Sequence, residues 1–427
     1  MKLNYKRTIL VGFAFFIIMT FWGAYDAIVP KILTNLFKMK QGPSGIIMSL
    51  DNVLALFMLP LFGSMSDKVE SRLGRRTPFI IAGTLLSIVF FTCLGLIRDS
   101  GMLILFIVVL LMTLISMAIF RSPAVALMPD VTVKPLRSKG NAIINLMGTA
   151  GGISVLVLGI VFKTGAVGKT DFADYIAVIG ILMALGLIAF LILVKEPEWA
   201  REMEEDSVKY GITEKAEVAG EGRKLTRGEF TSLILILASV ALWYTGYNAV
   251  TSKYSVYAEQ VLKVDFNTTL IVAQAAAVIA YIPVGIISSK IGRKKSILAG
   301  IAMLTCAFVV AIFLTDVKSE ISMFPIFALA GIGWATINVN SFPMAVELAK
   351  AGDVGKYTGY YYTASMAAQI ITPVLSGFLI DSLDWWIFFP YAAVFTALSF
   401  VTMLFVKHGD SKPERVGALE SLAGAED

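Results

Sequence analysis

Long apolar runs separated by short polar breaks dominate this chain, and the first run sets the scale. After the basic opening MKLNYKR, the residues from Thr8 to about Phe37 are almost all apolar. Further runs fall near 43–66, 77–97, 101–129, 140–163 and 172–194. A polar segment from Lys195 to Gly228 interrupts them, and six more runs follow near 230–252, 266–289, 295–315, 320–346, 356–380 and 384–406. A helix needs about 20 apolar residues to cross the hydrocarbon of a bilayer, and each run supplies them. The pattern predicts an all-α membrane protein with twelve transmembrane helices in two pseudo-symmetric six-helix bundles, 1–194 and 229–406. A cytoplasmic linker at 195–228 joins them and a cytoplasmic tail at 407–427 follows. The first run exceeds a signal-peptide core of roughly 7–15 residues and has no small-residue cleavage site, so it reads as an uncleaved span.

Composition removes whole classes of function. Hydrophobic residues make up 57% of the chain, charged residues 16%, and mean hydropathy is +0.77. Soluble globular chains carry roughly 45–50% apolar and about 25% charged residues. Soluble enzymes and disordered regulators are excluded. The net charge of +5 is dispersed among apolar runs and is no nucleic-acid signal. The two cysteines, Cys93 and Cys306, each lie inside an apolar run, and the one histidine, His408, lies in the tail. Cys/His catalysis, a structural zinc and an imidazole relay within the membrane therefore have no residues to use. No catalytic group, metal or cofactor is expected.

Lysine and arginine set the orientation, because short cytoplasmic loops carry an excess of them. With a cytoplasmic N-terminus, the inner segments hold three, four, three, seven, four, two and three basic residues in chain order, 26 of the 36. The outer segments hold nine, Lys31 and Lys253 among them, and Arg121 lies within a span. Both termini are expected in the cytoplasm, in a multi-pass protein of the cell membrane.

The halves repeat one another. The loop after the second span reads Gly63-Ser-Met-Ser-Asp67-Lys68 and then Leu73-Gly74-Arg75-Arg76. The loop after the eighth reads Gly285-Ile-Ile-Ser-Ser289-Lys290-Ile291-Gly292-Arg293-Lys294-Lys295, so Gly292 lies 218 positions beyond Gly74. At nearly that offset, Asp130 ending the fourth span corresponds to Glu347 ending the tenth. Such a repeat is the mark of a secondary transporter with its substrate near the midplane.

The recurring G-x-x-x-D-[RK]-x-G-R-[RK] resembles the loop signature of the major facilitator superfamily. The first copy has four extra residues before Leu73, and the second carries Ser289 in place of the acid. Glycine permits a tight turn, and arginines clamp helix-end carboxylates by charge-assisted bonds. Gly63, Asp67, Gly74, Arg75, Arg76, Arg137, Gly292, Arg293 and Glu347 are thus candidates for a cytoplasmic gate. Arg75 or Arg76 is expected to pair with Asp130, and Arg293 with Glu347. Three patches, GSMSDKVESRLGRRTPFIIAG, RSPAVALMPDV…PLRSKGNAIINLMGTAGG and FPMAVELAKAGDVGKYTGYYYTASMAAQI, resemble sucrose:proton symporters and their bacterial relatives over roughly a quarter of the chain. That resemblance implies a role in proton coupling for Asp130. Val125 stands where the plant pattern has an arginine, with Arg121 nearby, and Asp26 stands where those relatives tend to have an amide.

Charges inside spans are expensive and mark function. Asp26 and Asp51 lie at similar depth, roughly 5–6 Å outward of the centres of the first and second spans, and Arg121 lies roughly 9 Å inward of the centre of the fourth. Two carboxylates so placed suit a proton carrier, and Asp26, Asp51, Arg121 and Asp130 are the coupling candidates. The second half offers neutral polar residues instead. Candidates for substrate contact are Trp22, Tyr25, Asn141 and Asn145, then Tyr244, Tyr247, Asn248, Gln274, Trp334, Asn338, Tyr361 and Gln369. Aromatic faces stack on sugar C–H surfaces, and amides bind hydroxyls as donor and acceptor. The expectation is a monomer in the lipid bilayer that moves a small-molecule substrate, a sugar or glycoside, together with a proton as coupling cation. A proton-coupled efflux antiporter for amphipathic compounds and a non-transporting sensor are the alternatives.

Overall fold

The computed structural model describes residues 3–97, 101–210, 225–348 and 354–409. The middle of the linker and the tail beyond residue 409 lie outside them. Thirteen α-helices run in chain order among the described residues, and no strand is found there. They are α1 (Tyr5–Lys31), α2 (Gln41–Asp67), α3 (Thr77–Ile97), α4 (Leu103–Asp130), α5 (Arg137–Val161), α6 (Ala173–Leu193), α7 (Glu196–Lys209), α8 (Arg227–Tyr257), α9 (Phe266–Ile291), α10 (Arg293–Leu314), α11 (Glu320–Glu347), α12 (Val354–Leu383) and α13 (Phe388–Leu404). All but α7 are long and apolar enough to cross a membrane, which makes twelve spans. Large apolar side chains such as Ile104, Ile192, Phe313 and Ile321 point outward and exposed, as lipid contact requires and water would penalise.

The contacts divide the chain into two units. The first holds residues 1–39 and 50–213, the second residues 40–49 and 214–427. In the first, α1 packs on α4, α5 and α6, and α3 packs on α4 and α6. In the second, α8 packs on α12 and α13, α10 on α11 and α13, and α9 on α11. The sequence repeat is therefore a packing repeat: α1·α5, α1·α6 and α3·α4 return as α8·α12, α8·α13 and α10·α11. Glycines bring backbones together at these crossings, as small residues do between membrane helices. A Cβ on Gly151 of α5 would strike the Phe16 carbonyl of α1, and one on Gly331 of α11 would strike that of Ala273 on α9.

The structure departs from the sequence pattern in three places. The start of α2 belongs with the second unit, where Asp381 of α12 accepts the Gln41 and Gly42 N–H groups at 2.8 and 2.7 Å. The linker opens as a helix, α7, which groups with the first unit. Lys31 and Lys253, read from sequence as outer-loop charges, are fully buried within their helices. Lys31 donates to the carbonyls of Thr164 and Ala166, and Lys253 donates to that of Gln41 at 2.7 Å. Each helix then closes in one wide π turn, Ile32–Leu36 after α1 and Ala258–Leu262 after α8.

Candidate functional site

At the end of the first unit where α2 gives way to α3, Gly74 takes φ +104°, a conformation that favours glycine. A Cβ there would collide with the carboxyl of Glu196, the first residue of α7. That carboxylate is buried and accepts the backbone N–H groups of Arg76 and Thr77 at 2.8 Å each and the Thr77 hydroxyl at 2.7 Å. It caps the otherwise unsatisfied first turn of α3. The Arg76 guanidinium turns the other way. Its Nε donates to Asp130 Oδ2 at 2.7 Å, and its remaining nitrogens reach Asp67, Ser66 and the Gly63 carbonyl. Arg75 adds a second, longer approach to Asp130 at 3.3 Å. Burial works against the Arg76 charge, but the bonds and charges of Asp130 and Asp67 outweigh it and hold the guanidinium above its ordinary range.

Arg137 follows α4 in the chain, at the start of α5. It donates to the carbonyls of Thr132 and Pro129, at 3.1 and 3.0 Å, and so caps the C-terminal end of α4. In the second unit Gly292 takes φ +94° and Arg293 pairs with Glu347. The position that answers to Arg76 is Lys294, which caps the end of α13, donating to the carbonyls of Leu404 and Val406. The two copies of the loop thus divide their basic residues differently.

Within the first unit, a second group gathers around α1. That helix is enclosed by its neighbours except on one face, where Phe16, Met19 and Gly23 are half-open and Asp26 is the single exposed residue between Ile9 and Lys38. Tyr25 beside it is fully buried, and its hydroxyl has no hydrogen-bond partner among the described residues. The charges of Asp51 and Asp26 both act on that hydroxyl and on each other. Asp51 Oδ1 accepts from the backbone and side-chain nitrogens of Asn52, at 2.6 and 2.7 Å, and lies within the field of Arg121. Arg121 sits 5.8 Å over the Trp22 ring, a cation–π distance. The Trp22 Nε1 and Asn145 Nδ2 donors are buried without a partner among the described residues, and Asn141 is half-buried one turn earlier on α5.

The second unit brings together the neutral group. Trp243 and Tyr244 stack at 3.9 Å, and Tyr247 stacks on Trp334 at 6.0 Å. Tyr361 is buried, bonded to Ser341 at 2.9 Å, and hydrogen-bonds with Tyr244. Trp243 Nε1, Asn248 Nδ2, Gln274 Oε1 and Asn338 Nδ2 are buried and unpartnered among the described residues. Gln369 is half-buried on α12. Sequence reasoning had no means to find Glu196, Asp381 and Lys253. Glu196 stood in a polar linker rich in acids, and the other two stood just past the ends of apolar runs.

Three solved structures share this fold at 13% identity each. The xylose transporter XylE from E. coli matches with a TM-score of 0.70 over 97% of this chain and 98% of its own. The nucleoside transporter NupG matches at 0.69 over 95% and 100%, and a bacterial homologue of the iron transporter ferroportin at 0.68 over 96% and 100%. No curated protein matches in sequence. The family match reaches across the chain, over residues 11–371 and 274–423, and with twelve spans in two repeated bundles the chain is a membrane transporter that belongs to the Major Facilitator Superfamily.

Proposed function

We propose that this transporter is a proton-coupled symporter for a sugar or glycoside. It would work as a monomer in the cell membrane, with both termini in the cytoplasm as the distribution of lysine and arginine suggests. The observation that carries the reading is a division of chemistry. The first unit holds the membrane carboxylates Asp26 and Asp51, whose charges act on the orphaned Tyr25 hydroxyl, with Arg121 acting on Asp51. The second unit holds stacked aromatic rings and four orphaned neutral polar groups. A buried polar atom without a partner costs roughly 1–3 kcal/mol, and a hydroxyl-rich substrate would recover that cost. Xylose and nucleosides, named for two of the structural neighbours, are solutes of this polar, hydroxyl-bearing type.

In this proposal Asp26 carries the proton, Asp51 and Arg121 tune it, and Asp130 couples it to the clamp at Arg76. Gly63, Asp67, Gly74, Arg75, Arg76 and Arg137 form the cytoplasmic gate of the first half, and Gly292, Arg293 and Glu347 that of the second. The test is uptake into proteoliposomes under an imposed pH gradient, with mono-, di- and trisaccharides first ranked by thermal stabilisation of the purified protein. One saccharide class should stabilise the protein and accumulate against its gradient only when the outside is acidic. Accumulation driven by sodium alone, or stabilisation only by amphipathic drugs with outward transport, would overturn the reading.

A further inference from the structure

The chain does not leave the second unit when α13 ends. The backbone N–H groups of Lys407 and His408 both donate to Ser232 Oγ at 3.2 Å, and His408 Nδ1 lies 2.9 Å from the same oxygen. Ser232 is buried in the second turn of α8. Gly409 follows at φ +85°, where a Cβ would press on the Met344 carbonyl and on the side chains of Leu348 and Ile236. Lys294 holds the preceding carbonyls, Leu404 at 2.9 Å and Val406 at 2.7 Å. Residues 404–409 are thus stapled to α8, α10 and the end of α11. The Arg293–Glu347 ion pair is adjacent: Lys294 is the next residue after Arg293, and Met344 and Leu348 flank Glu347.

Counting donors fixes the state of the imidazole. A serine hydroxyl has one hydrogen and two lone pairs. The two amides take both lone pairs of Ser232, so its hydrogen goes to His408 Nδ1, which has to accept. Only a neutral ring with its proton on Nε2 does so. A protonated ring carries hydrogens on both nitrogens and would aim a third donor at an oxygen with no lone pair left. The charged residues next to these contacts in the chain are Lys407 on the tail, Arg227 and Glu229 on either side of Gly228 in α8, Arg293 and Lys294 on α10, and Glu347 beside Leu348 at the end of α11. The two carboxylates already serve other donors, Glu229 in the capping box with Thr226 and Glu347 with Arg293.

We infer that His408 and Ser232 form a pH-sensitive latch that seats the start of the tail on the second unit and slackens when the ring takes up a proton. The latch therefore holds while the ring is neutral and is lost once the ring is protonated. Because the seated segment packs around the turn that presents Glu347, slackening loosens the Arg293–Glu347 clamp. With the orientation proposed above, the pH being read is that of the cytoplasm.

His408 is the chain's only histidine, so ring nitrogen NMR on protein purified through a non-histidine tag reads this residue alone. At about pH 8 the ring should show the Nε2–H tautomer, and hydrogen exchange should find the Lys407 and His408 amides protected. At about pH 5.5, after correction for the intrinsic rate, their exchange should quicken roughly tenfold, as loss of a hydrogen bond implies. Ser232→Ala should remove the protection at both pH values. His408→Phe, at an exposed position, should leave it independent of pH. An Nδ1–H tautomer at about pH 8, or equal protection of the wild-type amides at both pH values, would overturn the latch whatever the substrate proves to be.

Discussion

The backbone N–H of Arg76 donates to Glu196 Oε1 at 2.8 Å, so the residue that clamps α4 is itself fixed by the first residue of the linker helix. Its guanidinium meets Asp130 at 2.7 Å, while its main chain is pinned from the opposite side. The N-terminus is tied into the same assembly, because Arg7 pairs with Glu202 and lies 5.3 Å over the Trp199 ring on α7. The α2–α3 turn, the end of α4 and the linker helix are therefore one mechanical unit.

Arg76→Ala should break it from the guanidinium side. The lost side chain leaves Asp130 half-buried beside Asp67 without its main cation, and removing one partner of a buried pair costs roughly 3–5 kcal/mol. Solvent near Asp130 and the remaining Arg75 reduce this to about 2 kcal/mol. Arg76→Lys should recover little, since an ammonium lacks the planar fork that spans Asp130, Asp67 and Ser66 at once. A double-mutant cycle with Asp130→Asn, read by thermal unfolding, should show a coupling of about 1 kcal/mol or more. Additive losses would mean that the two side chains do not act as a pair.

Glu196→Ala should break it from the backbone side. Three donors at the head of α3 lose their acceptor, and loss of a cap costs about 1–2 kcal/mol. Glu196→Gln retains one acceptor oxygen and should lose less. Gly74→Ala should do at least as much harm as Glu196→Ala, because it forces a Cβ against that carboxyl in a backbone conformation that disfavours it. Thermal midpoints of the three variants in one detergent decide the order. Equal stability of Gly74→Ala and wild type would refute the cap.

What sequence could show here follows from the range of each interaction. Twelve spans were legible because a run of apolar residues is a local signal, and the two-bundle repeat was legible because Gly74 and Gly292 recur in the same setting. The encounter of Arg76 with Asp130 followed from both standing at one end of neighbouring spans. Glu196 was not legible: among the nine acids of the linker segment, nothing local distinguishes the one that reaches α3. Lys31 and Lys253 were misplaced for a related reason. A lysine at the end of an apolar run reads as a loop charge, whereas these two are drawn inside by carbonyls contributed from distant residues, Thr164 and Gln41. The partition of Arg293 to Glu347 and Lys294 to α13 depends on side-chain direction, which residue spacing does not encode.

Asn338 offers a test of what the orphaned groups are for. Its side chain is 4% exposed and its Nδ2 has no partner among the described residues. Asn338→Leu keeps the branched outline of the side chain and removes the unsatisfied donor, so the substrate-free protein should be unchanged or up to about 1 kcal/mol more stable. If the amide contacts substrate, affinity should fall roughly tenfold or more, because one hydrogen bond is worth about 1 kcal/mol or above in a dry site. Thermal unfolding with and without the stabilising saccharide measures both effects. A variant that loses stability yet keeps its ligand shift would make Asn338 a structural residue.

Asp26 is where the coupling proposal is most exposed to failure. It stands on the single open face of α1, one residue from the orphaned Tyr25 hydroxyl and within the field of Asp51. A carrier in that place binds a proton when its face meets the donor solution and gives it up when Arg121, on the neighbouring α4, competes for the carboxylate. Asp26→Asn imitates the protonated form permanently. Uphill uptake under a pH gradient should then vanish, while exchange of labelled for unlabelled substrate, which needs no net proton movement, should stay within about threefold of wild type, since an amide keeps the size and much of the hydrogen bonding of a carboxylic acid. Asp51→Asn separates carrier from tuner: it should shift the pH at which uptake is half-maximal without abolishing accumulation. If Asp26→Asn still concentrates substrate and Asp51→Asn does not, the two acids exchange roles; if both variants still do, the proton is carried elsewhere, with Asp130 the next acid to replace.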